Sequence, residues 1–218
     1  MKKLIIIVLF IPTIVFSQGF RHKTQTLGVG LVAMTSTYYL TDTLPLYKDK
    51  ACKTLYCNYL PNNYDTTISP IFFKPDYGIT YFVVKEKKPQ YYKVLFNYSD
   101  TAYCRVNLKV HFMSWDTLLL KSTGIRRLTS FDNFIYGEPK SKTRVQDWDS
   151  KPYQEDLLTV IGIQGDWIQI LDDNTKQTGW IKWKFSDQLA IDIFPVLRTF
   201  LKKPKKPSEM TVNTTKLF

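Results

Sequence analysis

The sequence predicts an all-β chain: two small antiparallel barrels in tandem, with a short helical or irregular tail at the C-terminus. Three observations lead there. The apolar runs are short and rich in β-branched and aromatic residues, as in Ile79 to Lys85 and Trp167 to Leu171. Turn chemistry of hairpin length separates them, most plainly at Gln164-Gly165-Asp166. The order of strand, turn, aromatic strand, polar loop and aromatic strand occurs twice along the chain.

The first segment, residues 1–17, reads as a secretory signal. Met1-Lys2-Lys3 is a basic start, Leu4 to Phe16 is almost wholly apolar, and Val15-Phe16-Ser17 offers a peptidase site before Gln18. The apolar run is shorter than the roughly 18–20 residues that cross a bilayer, so no integral span is expected after its removal. The chain is thus expected to be exported, to the periplasm or the extracellular space. No cysteine stands near the cut, which argues against a lipid anchor.

Residues 18–123 are expected to form the first β domain. Gln18 to Lys23 is polar and reads as loose. Leu27 to Ala33, broken by Gly28 and Gly30, reads either as a closely packed strand or as a flexible lead-in. Leu44-Pro45-Leu46-Tyr47 is a strand entering the charged turn Lys48-Asp49-Lys50. Residues 51–78 then form a long insertion, with Tyr56, Tyr59, Tyr64, Phe72, Phe73 and Tyr77 among Pro61, Pro70 and Pro75. A loop of that length is functional, hides structure, or covers the open end of a barrel with its aromatics. Ile79 to Lys85, Tyr91 to Phe96 and Ala102 to Val106 are strands by composition. Val106 to Leu120 reads as closing strands, with Leu108, Val110 and Phe112 on one face, then Trp115 and Leu118-Leu119-Leu120. Lys121 to Thr129 reads as the junction, broken at Gly124, with Arg126-Arg127 exposed.

Residues 124–187 are expected to form the second unit. Phe134-Ile135-Tyr136 entering Gly137-Glu138-Pro139-Lys140 echoes the apolar-Tyr step at Leu46-Tyr47. Thr143 to Glu155 is a polar loop carrying Trp148 and Tyr153. Leu157 to Ile163, Trp167 to Leu171 and Gly179 to Trp183 are three strands; in the second, Ile168 and Ile170 share one face while Trp167, Gln169 and Leu171 share the other. In the extension, residues 188–218, the apolar positions from 189 to 200 have helical spacing, interrupted by Pro195. Beyond them Lys202-Lys203-Pro204-Lys205-Lys206 opens a basic tail.

The series Asp166-Trp167-Ile168-Gln169-Ile170, a polar loop, then Thr178-Gly179-Trp180-Ile181 resembles the bacterial SH3-like (SH3b) domains. The resemblance covers about residues 134–187. A divergent copy spans about residues 44–120, with Tyr92 in the place of Trp167 and Tyr103 in that of Trp180; there Ala102 replaces the glycine before the aromatic. The resemblance implies a barrel of five or six strands, of a kind found on cell-envelope proteins that touch peptidoglycan or other proteins. It implies no chemistry of its own.

The formal net charge is +11, from 30 Lys and Arg against 19 Asp and Glu. Such an excess suits anionic envelope polymers or acidic partners; nucleic acid lies in the wrong compartment for an exported chain. Cys52, Cys57 and Cys104 allow one disulfide with one cysteine left over, and the sequence does not choose the pair. Two histidines, His22 and His111, and three scattered thiols make a poor metal set, so no metal is expected. No phosphate loop, nucleophile–base pair or other catalytic motif stands out, and neither a cofactor nor catalysis is expected. The candidate binding residues are Tyr136, Trp167, Trp180, Trp183 and Lys182, with Lys184 beside them. Trp167 and Trp180 read equally as core or surface. Trp183, three residues from Trp180 and so on the opposite strand face, is expected at the surface. Two functions follow: a module for the glycan or peptide of the cell wall, or a protein-interaction or inhibitor module acting on an envelope protein.

Overall fold

The computed structural model describes residues 26–34, 43–61, 67–74, 79–128, 133–145 and 158–195. The signal segment, Trp148, Tyr153, Tyr64, Tyr77 and the basic tail lie outside the described residues. Within them the chain is nearly all β, as its composition predicts. Strands β1 (Gly30–Met34), β2 (Leu44–Tyr47), β3 (Leu55–Tyr59), β4 (Phe72–Lys74), β5 (Ile79–Lys87), β6 (Tyr91–Leu95), β7 (Thr101–Arg105) and β8 (Val110–Met113) form one sheet. Its order is β3-β2-β7-β6-β5-β1-β8, with β4 paired to β5. The pairs are antiparallel, and the path is open, with β3 and β8 at its edges rather than joined as a barrel.

Strand β1 and most of β5 are buried on both faces, which explains why they read as continuous apolar runs. Leu31, Ala33, Tyr81 and Val83 point into one apolar cluster, and Val32, Met34, Phe82 and Val84 into another. Gly28 and Gly30 therefore belong to a closely packed strand and its entry. A Cβ on Gly28, whose φ is +58°, would lie 2.3 Å from the carbonyl oxygen of Val84. The insertion hides structure: it supplies β3 and β4, and buries Tyr59 against Phe82 and Phe72 against Tyr81, each edge to face.

Three expectations change at the junction. Trp115–Leu120 is a helix, α1, rather than a closing strand. Ser114 caps it by accepting from the Thr117 amide at 3.2 Å, a signal the apolar leucine run concealed. Leu108 is 82% exposed and outside β8, so it shares no strand face with Val110 and Phe112. The expected linker instead contains β9 (Gly124–Arg127), which pairs with the distant C-terminal strand β15 (Ile191–Phe194). Where a helix is expected across residues 189 to 200, the described residues hold strand instead, chiefly β15; Ile191 and Ile193 lie in the core and Asp192 pairs with Arg126 at 2.8 Å. Tertiary pairing has overridden the helical spacing.

The C-terminal sheet comprises β10 (Thr159–Gln164), β11 (Trp167–Leu171) and β12 (Thr178–Lys182), followed by the small hairpin β13 (Lys184–Phe185) and β14 (Gln188–Leu189). Gly165 sits at φ +61° in the two-residue turn before β11, a value suited to the twist of a tight hairpin. The polar loop before β12 is organised by Asp172, whose side chain accepts from the amides of Asn174 and Thr175. Single bridges continue this sheet at each side, Ile125 to Leu158 and Tyr136 to Trp180. The strands curl round Ile168, Ile170 and Ile181, all fully buried, but no ladder closes them among the described residues.

The hairpins β6–β7 and β11–β12 share their order but not their register. Trp167 faces Lys182 and Trp180 faces Gln169, so both tryptophans lie on one sheet face. Tyr92 faces Cys104 and Tyr103 faces Lys93, which puts the two tyrosines on opposite faces. One apolar cluster runs through both expected domains, from Leu31 and Val83 through Trp115 and Leu119 to Ile168 and Trp183.

Candidate functional site

The expected binding residues come from three segments: the stretch around Tyr136, the start of β11 and the end of β12. Their meeting is enforced by the backbone. The Tyr136 amide donates to the Trp180 carbonyl at 2.9 Å and the Trp180 amide returns to the Tyr136 carbonyl at 2.7 Å. Tyr136 is thereby laid beside β12 on the same face as Trp180, Lys182 and Trp167.

A buried amide completes the strap. Asn133 donates to the Lys182 carbonyl at 2.6 Å and to the Ala190 carbonyl at 3.3 Å, and accepts from the Lys182 amide at 3.2 Å. It therefore fixes both the approach to Tyr136 and the backbone that carries Lys182. Nothing in the sequence marks Asn133: it reads as one more polar residue in a loop.

These elements enclose an open cleft of about 650 Å³, lined by Tyr136, Lys140, Ser141, Gln164, Trp167 and Lys182 among others. Trp167 is 8% exposed and forms the floor; the Tyr136 ring meets it edge to face at 5.4 Å. The Lys182 ammonium lies 5.4 Å from the Trp167 ring centre and 5.0 Å from that of Phe185. At the rim, Asp166 pairs with Lys184 at 3.1 Å. The cleft thus combines an aromatic floor, two lysines, a hydroxyl and an amide, groups that bind polar ligands bearing carboxylates. In the sequence the turn residues are only punctuation, yet two turns meet here to make the walls.

Trp180 is half-buried on the same outer face, without lining the cleft. Trp183 is not at the surface. It is 4% exposed, packs on Trp115 with ring centres 5.9 Å apart, and donates from Nε1 to the Gly165 carbonyl at 2.9 Å. The spacing rule did separate the two tryptophans; it did not say which faced inward. β12 ends at Lys182, and the chain turns there into the core.

Cys57 and Cys104 lie in the large sheet, on β3 and β7, and Cys52 in the turn between β2 and β3. Cys52 and Cys104 are buried and Cys57 is half-buried, with no disulfide among the three. Burial pushes the Cys104 thiol up to about 12, with a smaller push from Cys52. Among the described residues no three His, Cys, Asp or Glu side chains gather as a metal set, and no helix is long and apolar enough to cross a membrane. Comparison with family models, curated proteins and solved structures finds no match, so the resemblance to bacterial SH3-like domains rests on the residues of this chain alone.

Proposed function

We propose that this chain is an exported, non-catalytic binding module of the cell envelope, which takes the glycan or peptide of the cell wall in the cleft between Tyr136, Trp167 and Lys182. The observation that carries this reading is the convergence of aromatic and cationic side chains from three segments on one open cleft. Wall peptides carry carboxylates, which the ammonium groups of Lys140 and Lys182 attract. Sugar rings and peptide planes pack on aromatic faces, and Gln164 and Ser141 supply hydrogen bonds. The basic balance of the chain favours the same polyanionic surroundings. Export is supported by the signal-like first segment of the sequence.

Five tryptophans, one of them on the cleft floor, provide a reporter. Titration with muropeptides is expected to change the emission, and purified peptidoglycan is expected to retain the chain. Tyr136→Ala and Lys182→Glu are each expected to weaken binding about tenfold, the loss of one charge-assisted or aromatic contact. Failure of the unaltered chain to bind either probe rejects the reading. The second reading, a protein-interaction module, draws on the edge strand β3, where Leu55 and Tyr56 are 46% and 44% exposed. Recovery of an envelope protein by the chain, lost with Tyr56→Lys and kept with Tyr136→Ala, supports that one instead.

A further inference from the structure

A second cleft, of about 700 Å³, opens at the far end of the large sheet. It lies between the turn after β2, the turn between β5 and β6, and the last residue of β7. Its walls are mainly apolar, from Pro89, Val106 and the Tyr91 ring, and its cations are Lys50 and Arg105. Arg105 is pre-positioned: Nη2 donates to the Cys52 carbonyl at 3.0 Å, and the guanidinium lies 5.9 Å from the centre of the Tyr47 ring. Cys52 presents that carbonyl from a left-handed turn conformation, at φ +51°.

The acids nearby are otherwise engaged. Asp49 accepts from the amides of Thr54 and Lys53, at 2.7 and 3.3 Å. Glu86 accepts from the Tyr91 hydroxyl at 3.2 Å and lies 3.6 Å from the Lys88 ammonium. Neither Arg105 nor Lys50 is paired with a carboxylate among the described residues. Burial raises the Cys52 thiol, so it stays neutral and does not repel an incoming anion.

We propose that this cleft binds an acidic peptide segment, with a carboxylate on the Arg105 fork beside Lys50 and a neighbouring apolar side chain against Tyr91, Pro89 and Val106. The planar guanidinium matches a carboxylate with two parallel hydrogen bonds. The apolar walls favour a peptide over a phosphate polymer, which has no side chain to place there. The site is separate from the Tyr136 cleft and does not depend on the function proposed for it.

The test is fluorescence anisotropy of the full-length chain with a fluorescein-labelled hexapeptide of alternating glutamate and phenylalanine, and with its glutamine twin. The acidic peptide is expected to bind and the glutamine twin to bind at least tenfold more weakly. Lys50→Glu and Arg105→Gln are each expected to lose about tenfold or more. Lys50 is exposed on its turn, so Lys50→Glu decides the matter even if Arg105→Gln disturbs the fold. Equal binding of the two peptides, or acidic-peptide binding unaffected by Lys50→Glu, overturns the proposal. So does the absence of binding by the unaltered chain. A poly(glycerol phosphate) probe bound more tightly than the peptide, and lost with Lys50→Glu, also overturns it in favour of a polymer site.

Discussion

Asn133 shows how much one side chain decides. Its amide satisfies both the N–H and the C=O of Lys182 and the Ala190 carbonyl, just before β15. Asn133→Ala leaves these buried groups without it, at about 1–3 kcal/mol for each one that water cannot reach. The expected result is a clear fall in the urea midpoint together with weaker ligand binding, since Tyr136 and Lys182 lose their shared anchor. Trp183→Ala is expected to cost about 3–5 kcal/mol, the usual loss for an aromatic removed from a core. Trp180→Ala, on the half-exposed face, is expected to cost far less; similar losses in urea titrations of the two variants would contradict the burial seen here. Cys104 adds a pH dependence. Its folded pKa, about 12, lies above that of an unfolded thiol, so the folded chain holds a proton that the unfolded chain gives up. This stabilisation is complete below about pH 8.5 and is lost as pH rises through 12. Cys104→Ala is expected to flatten that part of the stability–pH curve, relative to the unaltered chain.

At the scale of elements, β1 and the β10–β11 hairpin depend on backbone geometry. Gly28→Ala would drive a methyl into the Val84 carbonyl, which accepts from the Val29 amide at 2.8 Å. The predicted outcome is loss of several degrees in thermal midpoint, or no folded protein in circular dichroism. Gly165 has open space around it but a positive φ, so Gly165→Ala is expected to cost only about 1–2 kcal/mol and Gly165→Asn less. The three C-terminal strands were legible because they alternate and are bounded by turn residues. The helix α1 was not, because six residues are too few to show a period beside three leucines. The segment of β15 is ambiguous in sequence, because apolar positions around it fit both a helix face and a strand buried on both sides.

For the molecule as a whole, the main consequence is a shared core. Trp115 donates to the Leu27 carbonyl at 2.8 Å and packs against Trp183, joining the start of the large sheet to the end of the small one. The β9–β15 pair adds a second connection, from the middle of the chain to its C-terminal strand. Unfolding is therefore expected to be one cooperative transition, coincident by far-ultraviolet circular dichroism and tryptophan emission. A fragment cut at residues 123 and 124 is expected to lack stable structure, because each part would expose its side of the common cluster to water. Two separate transitions, or a folded fragment, would show the units to be independent.

The sequence by itself determined the β class, the hairpin from Thr159 to Leu171 with its turn, and the face shared by Trp167, Gln169 and Leu171. These follow from alternation, β-branched composition and turn chemistry, all of them local. It also named Tyr136, Trp167 and Lys182, three of the residues that line the cleft. Only the tertiary structure decided which tryptophan faces the core, that Asn133 clamps the site, and that β9 pairs with β15. It also showed the large sheet to be open. Those outcomes depend on pairings between residues far apart in the chain, where the free energy of burying a surface outweighs local preference and no single stretch carries the signal.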